Sequence, residues 1–269
     1  MTGRFSLNGR VVAITGGAGL LGAEHAHAVV EAGGTPVLLD LDLHAAETRA
    51  AEVGGGAWAA AADVTDEAAL EAARDAILER SGRLDALVNN AARNPKVEGA
   101  GLAPATRLEQ MPLAEWNRDL EVGLTGAFLC SRVLGAEIAR GGGGAIVNIA
   151  SDLALISPDQ RLYRVDGVPE DEQPVKPVTY SVVKAGLVGL TRWLATYWAD
   201  AGVRVNAISP GGVEAGQPDE FVARLAERIP MGRMARPDEY RAAIVFLLSD
   251  ASSYMTGHNM VMDGGRTVW

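Results

Sequence analysis

The chain has 269 residues, 48% of them hydrophobic and 22% charged, which suits one large α/β domain with a single continuous interior. A formal charge of −10, from 24 Lys+Arg against 34 Asp+Glu, opposes attraction to nucleic acid or to an anionic membrane surface. One cysteine, Cys130, excludes an internal disulfide framework and a cysteine-based zinc cage.

Short apolar runs alternate with longer amphipathic ones along the chain. Strands are predicted at Val11–Thr15, Pro36–Asp40, Leu84–Asn89, Ala145–Ile149 and Val203–Ile208, with a last short one at Asn259–Met262. Helices are predicted at Gly22–Ala32, Leu43–Val53, Glu67–Arg80, Leu113–Arg140 and Thr179–Asp200, followed by Glu220–Ile229 and Asp238–Leu247. The Ala-rich stretch Ala57–Ala62 sits where a third strand is expected but reads equally well as helix. Such alternation, with near-continuous apolar strands, predicts an α/β fold with a doubly wound parallel sheet covered by helices on both faces.

No repeat or Ser/Pro linker divides the sequence, so residues 1–269 are expected to form a single domain. The stretch 152–178 breaks the rhythm. It lacks periodicity and carries Pro158, Pro169, Pro174 and Pro177, which marks it as an insertion loop at the functional end. The longest run without a charged side chain, Val11 to Ala23, is broken by four glycines and is too short to span a bilayer. No basic segment followed by an apolar run opens the chain. The expectation is a soluble, cytoplasmic protein with no membrane or nucleic-acid partner.

The first strand runs into Thr15-Gly16-Gly17-Ala18-Gly19-Leu20-Leu21-Gly22 and then a helix. Glycines let a backbone turn sharply and approach a diphosphate, and the free N–H groups of a helix start attract its charge. The second strand ends at Asp40, followed by Leu41, where a carboxylate can accept both hydroxyls of an adenosine ribose. No Arg or Lys lies in the glycine turn or beside Asp40, so a 2′-phosphate would meet like charge. The cofactor predicted here is NAD rather than NADP, with Gly16, Gly17, Ala18, Gly19, Leu20, Leu21, Asp40 and Leu41 as its contacts.

With five tyrosines and only three lysines (Lys96, Lys176, Lys184), a chance Tyr-x-x-x-Lys pair is expected about 0.06 times, so Tyr180…Lys184 carries information. Positions i and i+4 share a helix face, which sets the ammonium beside the phenol. A nearby cation favours phenolate and is expected to lower the tyrosine pKa, giving an acid/base that exchanges a proton with an alcohol or ketone.

Together with the Thr15–Gly22 turn, Asp63-Val64, Asn89-Asn90-Ala91, Ser151, Tyr180-x-x-x-Lys184, Pro210-Gly211 and the closing Gly257–Gly265 stretch, the sequence resembles the short-chain dehydrogenase/reductase family over its whole length. The resemblance implies a Rossmann fold and hydride transfer between nicotinamide and an alcohol or carbonyl. It implies Tyr180 as acid/base, Lys184 as the residue that tunes it and holds the nicotinamide ribose, and Ser151 as hydrogen-bond partner of the substrate oxygen. Asp63 and Val64 would flank adenine, Asn90 and Ala91 would line the ribose, and Pro210, Gly211 and Val213 would pack by the nicotinamide. It also implies a homotetramer (or dimer) built through the two long helices.

Three departures from the family pattern stand out. Gly16, Gly19 and Gly22 follow the GxxGxxG spacing of the longer, nucleotide-sugar-modifying branch, whereas residues 185–269 match the shorter single-domain one. In Val122-Gly123-Leu124-Thr125-Gly126, Gly123 stands where the shorter branch has an Asn that kinks the helix and holds a water; glycine can kink the helix but lacks the amide. Asn117 lies six residues away on another face and is no substitute. Finally, the spacing from Ser151 to Tyr180 is less than half as long in the family. Asp159, Arg161, Tyr163 and Arg164 of the insertion, with Arg93-Asn94-Pro95-Lys96, are expected to overhang the substrate entrance. A charged rim suits a polyhydroxylated or anionic substrate, as in the sugar-biosynthesis oxidoreductases that the chain also resembles.

The expected function is an NAD-dependent oxidoreductase of a secondary alcohol or ketone, the substrate being a sugar, polyol or other small polar hydroxy compound. The alternatives are a nucleotide-sugar epimerase with tightly bound NAD and a non-catalytic NAD-binding sensor. His25, His27, His44 and His258 lack a second ligand at metal spacing, so no metal is expected. Cys130 is expected to be buried, Trp193, Tyr197 and Trp198 to serve packing or subunit contact, and Glu170-Asp171-Glu172 and Asp238-Glu239 to face solvent.

Overall fold

Seven parallel strands carry the structure, and their side chains alternate between two helical layers. The computed structural model describes residues 3–93 and 106–269. The strands are β1 (Val11–Thr15), β2 (Thr35–Asp40), β3 (Trp58–Ala61), β4 (Ala86–Asn89), β5 (Gly144–Ile149), β6 (Val203–Pro210) and β7 (Asn259–Met262), in the order β3-β2-β1-β4-β5-β6-β7. All neighbours pair in parallel.

Buried parallel strands need apolar residues on both faces, and this sheet has them. Val12, Ile14, Leu38, Val88 and Val147 point to one layer, formed with α1 (Leu20–Glu31), α2 (Leu43–Val53) and a late helix, Arg241–Leu248. Val11, Ala13, Val37, Leu39, Leu87 and Ile146 point to the other, formed with α3 (Glu67–Ser81), α4 (Leu113–Arg140) and α5 (Val178–Tyr197). Two further helices follow α5: α6 (Asp219–Ala226) and α7, the Arg241–Leu248 helix. This is the single-domain, doubly wound Rossmann arrangement that the strand-helix alternation predicts.

The ambiguous Ala-rich stretch is a strand. Ala59 and Ala60 pair with Leu38 and Leu39 of β2, so the neighbour's backbone decides what local propensity does not.

Helix α4 contains two π turns, Glu121–Thr125 and Ser131–Gly135. The N–H of Gly126 reaches the carbonyl of Glu121, five residues back. The regular i→i−4 ladder is therefore interrupted at Gly123 without an asparagine. By length and composition α4 is also the one helix among the described residues that could cross a membrane; half of its apolar window is packed inside the fold.

In an open parallel sheet, ligands bind at the carboxyl ends of the strands, where the strand order reverses. Here that point lies between β1 and β4, flanked by the turns after β1, β2, β4 and β5.

Candidate active site

The glycine turn at the end of β1 is tightly built. Gly16 has φ +62°, and a Cβ there would lie 3.0 Å from the Ala91 Cα. A Cβ on Gly17 would lie 2.6 Å from the Leu38 Cβ, and one on Gly22 would meet the Gly16 carbonyl oxygen. No side chain larger than hydrogen fits these positions without displacing backbone. Helix α1 begins at this turn with Gly19 as its N-cap and no side-chain cap, so its first N–H groups are left to water or a ligand.

Asp40 closes the same corner. Its carboxylate accepts from the N–H of Ala18 at 3.0 Å and from that of Asp42 at 3.2 Å. The end of β2 is thereby tied to the glycine turn, with Leu41 exposed beside it. Asn90 donates its amide to the carbonyls of Thr15 and Gly16, at 3.0 and 3.1 Å. Thr15 Oγ1 accepts from the N–H groups of Asn90 and Ala91, each at 3.0 Å. The side chain of Asn90 thus holds the glycine turn in place. Asp63 accepts from both the N–H and the hydroxyl of Thr65, and Val64 is buried. Leu20 is exposed at the turn. The glycine cradle, the uncapped helix start and the carboxylate at the end of β2 together fit a dinucleotide.

The chemical end gathers at the carboxyl end of β5 and the first turn of α5. Ser151 follows β5 and donates from Oγ to Asp152 Oδ1 at 2.8 Å. Tyr180 and Lys184 lie one turn apart on α5, and Lys184 Nζ donates to the Ile149 carbonyl at 2.7 Å. This places Nζ 5.8 Å from the centroid of the Tyr180 ring. The expected lowering of the Tyr180 pKa is reversed here: burial raises it, and the nearby Ser151 hydroxyl opposes that only in part. Lys184 is spent on a backbone carbonyl, and its own burial, with Lys176 nearby, draws its pKa down to about 8.

Two groups that motif reasoning does not find complete this end. Lys176, from the insertion, places Nζ 3.9 Å from the Tyr180 ring centroid, and burial brings its pKa to about 8 as well. Arg266 enters from beyond β7 and pairs with Asp152 Oδ2 at 2.7 Å, both side chains being buried. Only a motif that paired positions 114 residues apart would have signalled this contact.

Across from Lys184, Asp119 on α4 accepts from Thr179 Oγ1 at 2.7 Å and from Arg93 at 2.9 Å. A cavity of about 10 Å³, the size of one water, lies between Asp119, Gly123, Thr179, Tyr180 and Lys184. Beyond β6, Gly211 and Gly212 line a cleft of about 320 Å³ with Met231, Tyr240 and Met262. Gly211 sits so close to Asp263 that a Cβ would lie 2.8 Å from its Cα. Val213 bridges to Ala235.

The insertion is anchored, and several of its charges are paired. Leu162 packs with Leu225, Ile229 and Met234 under α6, and Tyr163 stacks obliquely on Phe221. Asp159 binds Arg161 and Arg228, and Arg164 binds Glu170. The Gln173 amide closes the loop on the backbone of Val165 and Val168. Of the predicted rim, Arg93 pairs with Glu115 and Asp119, while Asn94, Pro95 and Lys96 lie outside the described residues.

The remaining candidates fall in place as packing. His25 is fully enclosed, which lowers its pKa to about 3, and burial pushes the Cys130 thiol up to about 12. Trp198 packs on the core, whereas Trp193 and Tyr197 stack on each other at 4.7 Å and remain exposed. Glu170, Asp171 and Glu172 are exposed, but Glu239 is half-buried and ties Arg233 to the backbone of Arg236. Among the described residues no three His, Cys, Asp or Glu side chains are grouped to hold a metal ion.

The chain is similar to known proteins over nearly its whole length. Residues 10–163 match the family described as short chain dehydrogenase, and residues 171–267 match the one described as enoyl-(acyl carrier protein) reductase. The chain is 39% identical to a D-threitol dehydrogenase of Mycolicibacterium smegmatis over 98% of its length and 95% of that protein. It is 32% identical to an NAD-dependent glycerol dehydrogenase of Listeria innocua, over 98% of this chain and 96% of that one. The crystal structure of a gluconate 5-dehydrogenase from Burkholderia cenocepacia, in complex with NADP and tartrate, superposes with a TM-score of 0.85 at 29% identity, covering 99% of this chain and 98% of that chain. The chain belongs to the short-chain dehydrogenase/reductase family, oxidoreductases of alcohols and carbonyls that work with a nicotinamide cofactor.

Proposed function

We propose that the protein is an NAD-dependent dehydrogenase of polyols or related small sugars. What supports this reading is that Ser151, after β5, and Tyr180 and Lys184, on the first turns of α5, lie at the same carboxyl end of the sheet as the glycine turn after β1. The polyol names of the relatives support the substrate class. Asp40 supports NAD: its carboxylate stands over the Ala18 N–H, where a 2′-phosphate would meet like charge.

In this reading Gly16, Gly17, Ala18, Gly19, Leu20 and Leu21 hold the diphosphate, and Asp40 and Leu41 the adenosine ribose. Asp63, Val64, Asn90 and Ala91 border the adenosine half, and Pro210, Gly211 and Val213 the nicotinamide half. Nicotinamide, when bound, supplies the two-electron acceptor that takes the carbinol hydrogen as hydride. The chain's part is the proton. Ser151 holds the substrate oxygen, Tyr180 takes its proton as the C–O bond becomes a carbonyl, and Lys184 stabilises the phenolate once it leaves the Ile149 carbonyl for the ribose.

The protein acts in the cytoplasm as a homotetramer or dimer. The exposed Trp193–Tyr197 pair on α5 and the half-exposed Phe128 on α4 support a subunit contact through the two long helices.

The test is the appearance of reduced nicotinamide absorbance with NAD⁺, then NADP⁺, across tetritols, hexitols and simple secondary alcohols. NADH accumulating with a polyol supports the reading. Tight NAD binding with no net NADH would instead fit the epimerase, and NAD binding without any turnover the sensor.

A further inference from the structure

Ser151 presents a problem of hydrogen bonding that the rest of the site answers. Its hydroxyl has one proton, and that proton is given to Asp152 Oδ1 at 2.8 Å. To hold a substrate oxygen as a donor, Ser151 must release Asp152. Oδ1 then keeps only the N–H of Leu153, at 2.8 Å, while Oδ2 stays with Arg266 at 2.7 Å. Asp152 is 3% exposed, so the donor it loses is best replaced by a group already held against Ser151. A buried ion pair of this kind, with Arg266 only 8% exposed, costs desolvation on both partners. Placed directly against the predicted substrate-holding serine, it has a use in recognition.

The spacing defines the group that fits. Ser151 Oγ and Asp152 Oδ1 stand one hydrogen-bond length apart. The two oxygens of a gauche vicinal diol are separated by about the same distance. With the reacting oxygen on Ser151, the neighbouring hydroxyl falls against Oδ1 and restores the donor that Ser151 withdraws. We propose that Asp152, held in place by Arg266, is a specificity-determining residue that accepts a hydrogen bond from the hydroxyl next to the reacting carbinol, so that the enzyme selects vicinal diols over isolated secondary alcohols. This rests on the dehydrogenase reading given above.

The experiment compares kcat/KM of the wild-type enzyme, with saturating NAD⁺, for butane-2,3-diol, 3-methoxybutan-2-ol and butan-2-ol. The ether keeps the second oxygen but not its proton. The diol is expected to exceed both others by roughly ten- to a hundredfold, the scale of one hydrogen bond to a buried charge, and the ether to fall with butan-2-ol. In Asp152→Asn, where the acceptor is retained without its charge, the preference narrows to roughly a few-fold. Because the three substrates are compared on one unaltered protein, the result does not depend on that variant folding. If butan-2-ol or the ether is oxidised within about threefold of the diol, the inference is wrong while the dehydrogenase reading stands. If NAD binds but neither these alcohols nor the polyols are turned over, both are wrong.

Discussion

A Cβ on Gly123 would lie 2.6 Å from Cγ1 of Val183, inside van der Waals contact. Gly123 is on the π turn of α4 and Val183 is three residues after Tyr180 on α5, so the two helices touch through glycine on one side and a branched side chain on the other. A larger residue at 123 has no room while Val183 keeps its place.

Gly123→Asn, the change toward the usual family residue, is therefore expected to destabilise the fold by about 1–3 kcal/mol and to lower turnover. Gly123→Asn combined with Val183→Ala should recover most of that stability. Thermal unfolding of the single and double variants, with kcat measured alongside, checks both statements.

Tyr180→Phe removes the phenol oxygen and little volume. Turnover should fall by about 10²–10⁴-fold, with NAD affinity largely kept. Titration calorimetry and steady-state rates separate the two quantities, and full activity in this variant would exclude Tyr180 as the acid/base.

Asp40→Ala unties the end of β2 from the Ala18 N–H and removes the charge that opposes a 2′-phosphate. NAD binding is expected to weaken by roughly tenfold or more, with NADP gaining relative to it. Tighter binding of NADP than NAD by the unaltered protein would remove the basis of this prediction.

Lys176 and Lys184 both sit near pKa 8 in the folded protein against 10.5 for an ordinary lysine. The folded state releases these protons while the unfolded state keeps them, so their contribution to stability is present above about pH 10.5 and is lost as pH falls through 8. Lys176→Met escapes this penalty. It should be more stable than wild type at pH 7, with the gap closing toward pH 10, in urea unfolding at a series of pH values.

Asp159 fastens the insertion to Arg228 as well as to its own Arg161. Asp159→Ala should cost little global stability, since the pairs are partly exposed. It should nevertheless hasten proteolysis within 152–178 and raise KM more than it lowers kcat.

The layout of the sheet was legible because buried parallel strands are written as short apolar runs, and the Tyr180–Lys184 pair because one helix fixes its spacing. Trp58–Ala61 was not, since an alanine run has no period and takes its conformation from β2. Nor were Asp152 with Arg266, or Lys176 with Tyr180. The first pair comes together only when the segment after β7 packs against the start of the insertion, and no local pattern encodes a contact across 114 residues; in the second, Lys176 is four residues from Tyr180 but precedes the first turn of α5, where helical spacing does not apply. The pairing of the insertion's arginines was not legible either. Arg161 pairs with Asp159 and Arg164 with Glu170, both partners lying within the insertion itself.

The strand order also sets a timetable. Strands β1 to β3 complete one wing; β4 then returns to the free side of β1, and β5, β6 and β7 each join the strand laid down before. No later strand has to wedge between two that are already paired. A chain emerging from the ribosome can thus extend its sheet outward without undoing any rung, and the turn at Gly16 gains its β4 wall before Tyr180 has been translated.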